Sequence, residues 1–322
     1  MTDVETINPP TLDPSKFRDA DVTANGAPRA FVDLTSLRTL WFNTGTLCNI
    51  ECVHCYIESS PTNDQLVYLT HDEVLVYLDE IEQQQFPVQQ IGLTGGEPFM
   101  NPDCCAIIEA ALARGFQTFV LTNAMRPMMR PKVQDALLRM LNEYGNQLTL
   151  RVSLDHYTED LHNVERGEGS WAETLVGLKW LSEHGFTINI AGRTCWNEGE
   201  QAARAGFADL FVRQALQIDA QDPIELVLFP EMDETIDVPE ITTECWRILD
   251  VDPNHMMCAT SRMVVKRQGA ARPAVLACTL LPYAAPFELG TTLVEANRPV
   301  KLNHPHCAKF CVLGGGSCCV EA

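Results

Sequence analysis

Short apolar runs alternate along this chain with longer segments in which apolar residues recur at helical spacing. Six runs predict buried strands, at residues 40–43, 90–93, 118–121, 149–154, 187–191 and 225–228. Residues 70–73 and 170–173 have the capping-box pattern that begins a helix, and Asn101 followed by Pro102 reads as a cap with a first-turn proline. Strands alternating with helices predict a parallel sheet covered by helices, and six units are too few for a closed eight-stranded barrel.

Polar and charged residues gather where the predicted strands end. The carboxyl ends of parallel strands meet at one edge of a sheet, and ligands bind there. The residues at these ends include Gly95 and Gly96, Thr122 and Asn123, Ser153, Asp155 and His156, Gly192 to Thr194, and Pro230 with Glu231. The pattern predicts one site built from several strand ends. His156 and Glu231 are candidate substrate contacts, although a single histidine or glutamate at a strand end is more often structural.

Three cysteines follow the first predicted strand. Cys48, Cys52 and Cys55 are separated by three and then by two residues. Three thiolates supply one ligand fewer than the four that usually hold an iron–sulfur cluster, so one iron would keep an open coordination position. A structural zinc site is the alternative for such a triplet. Zinc explains neither the missing fourth ligand nor the glycine turn that follows the second strand.

That turn consists of Gly95, Gly96, Glu97 and Pro98. Glycines let the backbone approach a ligand, the carboxylate can accept hydrogen bonds from an ammonium group, and proline stiffens the turn. With the cysteine triplet, these residues resemble the radical S-adenosylmethionine superfamily, whose members have an open six-stranded partial barrel. The resemblance implies an α/β fold, a partial (β/α)6 TIM-like barrel with a small cysteine-rich C-terminal extension.

The resemblance also implies the cofactors, a 4Fe-4S cluster and S-adenosyl-L-methionine. In this family three cysteines hold the cluster, and the methionine amine and carboxylate of the cofactor chelate the open iron. The matching residues are Cys48, Cys52 and Cys55 for the cluster and Gly95, Gly96, Glu97 and Pro98 for the amine. The position before the third cysteine, usually aromatic and close to the adenine, is His54 in this chain, with Tyr56 just beyond.

Ser153, Asp155 and Arg193 complete the predicted cofactor site. Ser153 and Asp155 alternate on one strand and face the same side, where a hydroxyl and a carboxylate could bind ribose. The resembled family often has a polar pair here. The alternative is that both side chains satisfy backbone groups at the strand end. Arg193 could form a forked pair with the methionine carboxylate, or a plain surface ion pair.

The last part of the chain is rich in cysteine. Residues 263–269 and 274–280 read as two short strands with a glycine-bearing turn between them. This region resembles the auxiliary-cluster extensions called twitch and SPASM. The resemblance implies one auxiliary 4Fe-4S cluster, held by Cys258, Cys278 and two of Cys307, Cys311 and Cys318, with Cys307 and Cys311 the first choice by spacing.

Counting thiols favours a single auxiliary cluster. Two clusters need seven thiols, whereas residues 258–319 contain six, of which Cys318 and Cys319 are adjacent. Recruiting Cys245 would supply a seventh, and zinc is a further alternative for this site. Three other cysteines are expected to be small buried apolar groups: Cys104, Cys105 and Cys195.

Charge and termini limit the partners. Lys and Arg number 23 against 43 Asp and Glu, a net charge of −20, which argues against nucleic acid and membrane surfaces as partners. The first ten residues contain neither a basic region nor an apolar run, which predicts a cytoplasmic protein without a signal peptide. The predicted domains are an N-terminal extension (1–36), the barrel (37–240) and the auxiliary-cluster domain (241–322).

By resemblance, the expected activity is reductive cleavage of S-adenosylmethionine to a 5′-deoxyadenosyl radical that takes a hydrogen atom from the substrate. The expected partners are a reductant such as flavodoxin or ferredoxin and a peptide or protein substrate, with a small-molecule radical dehydrogenase as the alternative. The auxiliary cluster would accept an electron or bind the substrate. A non-catalytic electron carrier is the alternative from another class, and Glu97 with its two glycines argues against it. A further hypothesis, a thiol-rich protein that handles soft metals or metalloids, depends on Cys318 and Cys319 alone.

Overall fold

The computed structural model describes residues 10–196, 198–230 and 233–314. Its strands are β1 (Phe31–Val32), β2 (Thr39–Asn43), β3 (Gln90–Thr94), β4 (Gln117–Thr122), β5 (Leu148–Ser153), β6 (Thr187–Arg193), β7 (Leu226–Phe229), β8 (Ser261–Val265), β9 (Ala274–Leu276), β10 (Glu288–Gly290) and β11 (Val300–Lys301). All six strands predicted from the apolar runs are present, with bounds that differ by one or two residues.

The α-helices lie mostly between the strands of the barrel. They are α1 (His71–Gln84), α2 (Cys104–Ala113), α3 (Pro131–Tyr144), α4 (Glu159–Arg166), α5 (Ser170–Glu183), α6 (Glu200–Arg213), α7 (Cys245–Leu249) and α8 (Met257–Thr260). Short 3-10 turns cover Pro98–Met100, Gly145–Gln147, Pro253–His255 and Ala285–Phe287, and a π-helix covers Cys307–Val312. No helix within the described ranges is both long enough and apolar enough to cross a membrane.

Within the described ranges, nine strands form one sheet in the order β10-β9-β8-β2-β3-β4-β5-β6-β7. Strands β2 to β7 are parallel and lie side by side in chain order, each connected to the next through one or more helices. This arrangement confirms the predicted α/β fold with a partial (β/α)6 barrel. The consecutive parallel strands place six carboxyl ends along one rim.

Side chains from neighbouring strands fit closely inside the barrel. All five residues of β2 are buried, and the Trp41 ring meets Phe119 edge to face, with centroids 4.7 Å apart. Gly92 lies opposite Trp41 in the β2–β3 register, where an added Cβ would come within 2.6 Å of the indole. The glycine therefore makes room for the largest side chain of the barrel core.

The helix starts agree only in part with the sequence predictions. The Thr70 capping box is confirmed, because its hydroxyl accepts the Glu73 N–H while the Glu73 carboxylate accepts the Thr70 N–H. The second predicted box is wrong: Gly169 caps α5, and the Ser170 hydroxyl lies 3.1 Å from Asn163 Oδ1. Asn101 does not cap α2 either. The N-cap position of α2 is Asp103, and the Asn101 side chain accepts the Asp103 N–H in the turn that precedes the helix.

The cysteine-rich region is joined to the barrel by hydrogen-bonded strands. Strands β8 and β9 form the predicted antiparallel pair, with Val264 opposite Val275, and the Gly269 turn between them has a positive φ of 76°. Strand β8 also pairs in parallel with β2. A second, small sheet pairs β1 with β11. The sheet is therefore continuous across the boundary proposed at residue 241, and the domain division stays a prediction.

Candidate active site

The last residue of each of five parallel strands lines a single cavity at the rim of the barrel. These residues are Thr94, Thr122, Ser153, Arg193 and Phe229, from β3 to β7 in order. Further lining residues come from the loops after β2, β3 and β4 and from the cysteine-rich region. The strand ends that the sequence predicts to form one site therefore line one cavity.

All three cysteines of the triplet line this cavity. Cys48 is buried, and burial raises the pKa of its thiol to about 12. Burial also raises the pKa of Cys52, an effect that the nearby Arg166 cation opposes. Without a metal, Cys48 is therefore protonated at neutral pH, and it would bind iron with loss of its proton.

Thiolates hold both iron–sulfur clusters and zinc ions, so the donor type of this triplet suits either group.

The glycine turn packs directly against the loop that carries the cysteines. Gly96 N–H donates to Gly45 O at 2.8 Å, and Glu97 N–H donates to Leu47 O at 3.2 Å. A Cβ on Gly95 would lie 2.5 Å from Gly45 O, and Gly95 has a φ of 139° that disfavours other residues. The glycines line the cavity, and they also let two loops meet at backbone contact.

Glu97 lies behind the cavity wall, does not line the cavity, and holds residues of the wall in place through hydrogen bonds. Its carboxylate accepts hydrogen bonds from the Thr122 hydroxyl, from Asn123 N–H at 2.8 Å and from Phe99 N–H at 3.2 Å. Burial raises its pKa to about 7, although these hydrogen bonds favour the charged form. Pro98 is buried and begins a 3-10 turn, and it does not line the cavity either. In this structure the Glu97 carboxylate therefore holds the β4 loop rather than facing the cavity.

Asp155 is the centre of a buried ion-pair network. Arg166 binds it through both carboxylate oxygens, at 2.7 Å and 3.0 Å, and Arg193 Nε lies 3.5 Å away. Burial alone would raise the pKa of Asp155, but the two arginines outweigh it and lower that pKa. Asp155 and Arg193 line the cavity as predicted, together with Ser153, yet both charged groups already have protein partners.

His54 faces this network instead of the cavity. Its Nδ1 is 2.8 Å from Glu165 Oε2, its N–H donates to Glu165 Oε1, and its carbonyl accepts from Arg193. Tyr56 lines the cavity, whereas His54 does not. The network thus ties the cysteine loop to the end of α4 and to β6. His156 is also occupied, because Nε2 lies 3.0 Å from Glu198 Oε1.

Sequence reasoning missed Arg166, Glu165 and Arg151. Arg166 and Arg151 line the cavity, and Glu165 bridges His54 and Arg193 from behind it. A charged pair at the end of an amphipathic helix is more often solvated, so the sequence contains no signal that separates Glu165 and Arg166 from surface charges.

Three C-terminal thiols come together next to the cavity. Cys258 and Cys307 are buried and Cys278 is half-buried. Desolvation raises the pKa values of Cys278 and Cys307, and the neighbouring thiols raise them further, so the three thiols lie close to one another. Thr279 and Leu280, which follow Cys278, line the cavity, as does Phe310. Cys311 lies in the same π-helix as Cys307 and is half-buried.

The remaining cysteines have other surroundings. Cys104 is buried and Cys105 and Cys195 are half-buried. Cys245 begins α7, and its sulfur accepts the Thr242 N–H at 3.3 Å. Cys318, Cys319 and Glu231 lie outside the described residues.

Comparison with known proteins defines the class of this fold and site. Residues 42–201 match the family model of the radical SAM superfamily, and they therefore form a radical SAM domain. This segment contains the cysteine triplet, the glycine turn and the Asp155 network. Members of the superfamily bind a 4Fe-4S cluster and S-adenosylmethionine, as the sequence predicted.

Three curated relatives each align with a little under half of the chain. They are the antilisterial bacteriocin subtilosin biosynthesis protein AlbA of Bacillus subtilis (31% identical, covering 45% of this chain and 30% of AlbA), the mycofactocin maturase MftC of Mycobacterium ulcerans (30%, covering 43% and 35%) and the AdoMet-dependent heme synthase of Methanosarcina barkeri (30%, covering 44% and 38%). The alignments span only about a third of these relatives.

The solved structure of Streptococcus suis SuiB bound to S-adenosylmethionine is similar in fold. Its TM-score is 0.58 at 12% identity, and the match covers 80% of this chain and 63% of SuiB. A second SuiB structure, bound to the precursor peptide SuiA, matches equally well. At this identity the similarity concerns the fold alone.

The residues of the cavity fit the two cofactors of the family. Three thiols line the cavity together with a turn whose glycines leave no room for a side chain, and thiolates are the usual ligands of iron–sulfur clusters. Arginines, a carboxylate and hydroxyls surround them. These residues are of the types that bind a zwitterionic ligand with a ribose.

Proposed function

We propose that this protein is a radical SAM enzyme that modifies a peptide or protein substrate. The observation that carries the proposal is a cavity lined by the cysteine triplet and the glycine turn, with a second group of thiols next to it. When bound, the cluster supplies one electron that splits S-adenosylmethionine into methionine and a 5′-deoxyadenosyl radical, which takes a hydrogen atom from the substrate. Oxidoreductase chemistry with a flavodoxin- or ferredoxin-like reductant is part of the same proposal.

Cys48, Cys52 and Cys55 would hold the radical-generating cluster. Their loop is held in place on two sides, by the backbone hydrogen bonds from Gly96 and Glu97 and by the Glu165 contacts with His54. Fixed ligand geometry matters because an error of about 1 Å in positioning can cost about a hundredfold in rate. The protein's contribution is therefore rigidity around the open iron.

The apolar part of the cavity would exclude water from the reaction. Trp41, Leu121, Phe229, Leu280 and Phe310 contribute apolar surface to the wall, and the rings of Phe229 and Phe310 stack with centroids 6.1 Å apart. A carbon radical is quenched by any nearby hydrogen donor, so a dry wall protects it until it meets the substrate.

Cys258, Cys278 and Cys307, with Cys311 as the fourth candidate, would hold one auxiliary cluster. The proximity of the first three thiols supports this set. Thr279 and Leu280, which follow Cys278, line the cavity wall, so the residues that would hold this cluster border the cavity, and the cluster would supply an electron acceptor there. The net reaction would then be an oxidation.

The names of the relatives support a peptide substrate more than a small molecule. AlbA serves bacteriocin biosynthesis, MftC is a maturase and SuiB binds the peptide SuiA, whereas the heme synthase represents the small-molecule alternative. Incubation with candidate precursor peptides, followed by mass spectrometry for a loss of two hydrogens, tests this choice. A haem precursor or nucleotide that is consumed in its place would favour the alternative.

The class of chemistry is tested on anaerobically reconstituted protein. We expect about eight irons per chain and 5′-deoxyadenosine after addition of dithionite and S-adenosylmethionine. Cys52→Ala should abolish deoxyadenosine formation and leave the auxiliary iron in place. Wild-type protein that binds iron but neither binds nor cleaves S-adenosylmethionine would instead support the electron carrier.

A further inference from the structure

Two histidines and a glutamate come together outside the cavity, next to the C-terminal thiols. Ligand atoms of Glu234, His304 and His306 all lie within 4.8 Å of one another. His304 Nε2 is 3.4 Å from Glu234 Oε2, and the two imidazole rings have centroids 4.7 Å apart. None of the three belongs to the cofactor site described above.

His306 supplies an independent indication of a ligand. The residue is only 7% exposed, and its Nδ1 is buried without a hydrogen-bond partner among the described residues. A buried nitrogen that lacks a partner is costly, so native structures rarely contain one unless an ion, water or ligand satisfies it. The neighbouring His304 and Glu234 supply the other donors that a metal ion needs.

We propose that Glu234, His304 and His306 bind one divalent transition-metal ion of the Zn²⁺ class. Imidazole and carboxylate are preferred zinc ligands, with bonds of about 2.0–2.2 Å. In a tetrahedral site with such bonds, two ligand atoms lie about 3.4 Å apart, and His304 Nε2 and Glu234 Oε2 are separated by 3.4 Å. Three protein ligands leave the fourth position for water.

Metal binding has a definite consequence for His304. The His306 N–H donates to His304 Nδ1 at 3.1 Å, so neutral His304 carries its proton on Nε2, opposite Glu234. An ion at Nε2 displaces that proton. The ring then carries its proton on Nδ1, so the hydrogen bond from the His306 N–H to that atom is lost.

The ion would connect two distant parts of the chain. Glu234 belongs to the segment after β7, whereas His304 and His306 directly precede the π-helix with Cys307. These segments already touch, because Lys309 Nζ lies 3.5 Å from Asp233 O. The site would therefore fasten the end of the barrel to the segment that supplies a cavity wall and a proposed cluster ligand.

The test uses the reconstituted holoprotein with one equivalent of zinc sulfate, followed by gel filtration and metal analysis. We expect one zinc per chain, with only nitrogen and oxygen neighbours at about 2.0–2.1 Å in zinc X-ray absorption spectra. X-ray absorption is element-specific, so iron–sulfur clusters do not obscure the signal. His304→Gln and the exposed Glu234→Gln should lose the zinc, and exposed His255→Gln is the matched control that should keep it.

Two results would overturn the proposal. One is a wild-type protein that retains no zinc. The other is sulfur neighbours at about 2.3 Å, which would place the zinc on cysteines. Iron and sulfide counts on the same samples separate this proposal from the proposed function. A full iron content without zinc bound to nitrogen and oxygen refutes only the histidine site. A depleted iron content with zinc bound to nitrogen and oxygen refutes only the auxiliary cluster.

Discussion

Replacement of Gly96 by alanine is the sharpest test of how the two cofactor loops fit together. A Cβ at this position would lie 2.3 Å from Leu47 O, 2.6 Å from Leu47 C and 2.8 Å from Thr46 O. The closest of these distances is about 1 Å short of the 3.4 Å at which ordinary contact begins. Because every clashing atom is backbone, the cysteine loop itself must move.

The expected magnitude follows from that displacement. Overpacking of a buried contact costs about 1–3 kcal/mol of stability, and a movement of about 1 Å in a reacting group costs about a hundredfold in rate. Gly96→Ala should therefore form 5′-deoxyadenosine about a hundred times more slowly than the wild type at saturating S-adenosylmethionine. The rate is measured anaerobically with dithionite, with iron per chain determined on the same samples.

A matched glycine provides the control. Gly199 precedes α6 with a φ of −73°, and an added Cβ would meet nothing within 4 Å. Gly199→Ala should therefore keep the wild-type rate and iron content. Wild-type deoxyadenosine formation by Gly96→Ala would show that the backbone contact does not position the cluster ligands, and the account of the glycine turn given above would be wrong.

Three further changes test other parts of the site. Asp155→Asn leaves the Arg166 cation without its buried partner and should cost about 3–5 kcal/mol in anaerobic urea unfolding; a loss below 1 kcal/mol would contradict the network. Cys278→Ala should remove the auxiliary iron while some uncoupled cleavage of S-adenosylmethionine persists, and full iron content would refute the ligand assignment. Glu97 has a pKa of about 7 in the folded protein and about 4.3 unfolded, so it contributes stability that is complete below the unfolded value and is lost as pH rises through 7. Glu97→Gln should therefore show a flatter decline in stability between pH 5.5 and 8, and a curve parallel to the wild type would refute the shift.

The barrel could be predicted from the sequence because its signals are local. Each strand is an apolar run of a few residues that ends in polar or glycine residues, and β2 and β3 show this in residues 39–43 and 90–94. The cysteine triplet and the glycine turn are also contiguous. The capping-box pattern at residues 170–173 failed because the adjacent residue takes the cap position. Gly169, with a φ of 79°, caps α5 in place of Ser170.

The rest of the site depends on contacts between residues far apart in sequence. Arg166 reaches Asp155 across 11 positions, and Glu165 reaches His54 across 111. Phe310 comes to the cavity from the C-terminal π-helix. Such pairs depend on how α4 and the C-terminal segment pack, which no single stretch of sequence encodes.

The parallel pairing of β8 with β2 determines whether the cysteine-rich region can be removed or exchanged as a module. Without β8, the fully buried β2 would become the outermost strand, with unpaired N–H and C=O groups from residues 39–42. Exposed apolar edge strands pair readily with other chains, so a truncation before β8 would favour aggregation. Chimeras that exchange this region should therefore carry β2 and β8 together from one parent.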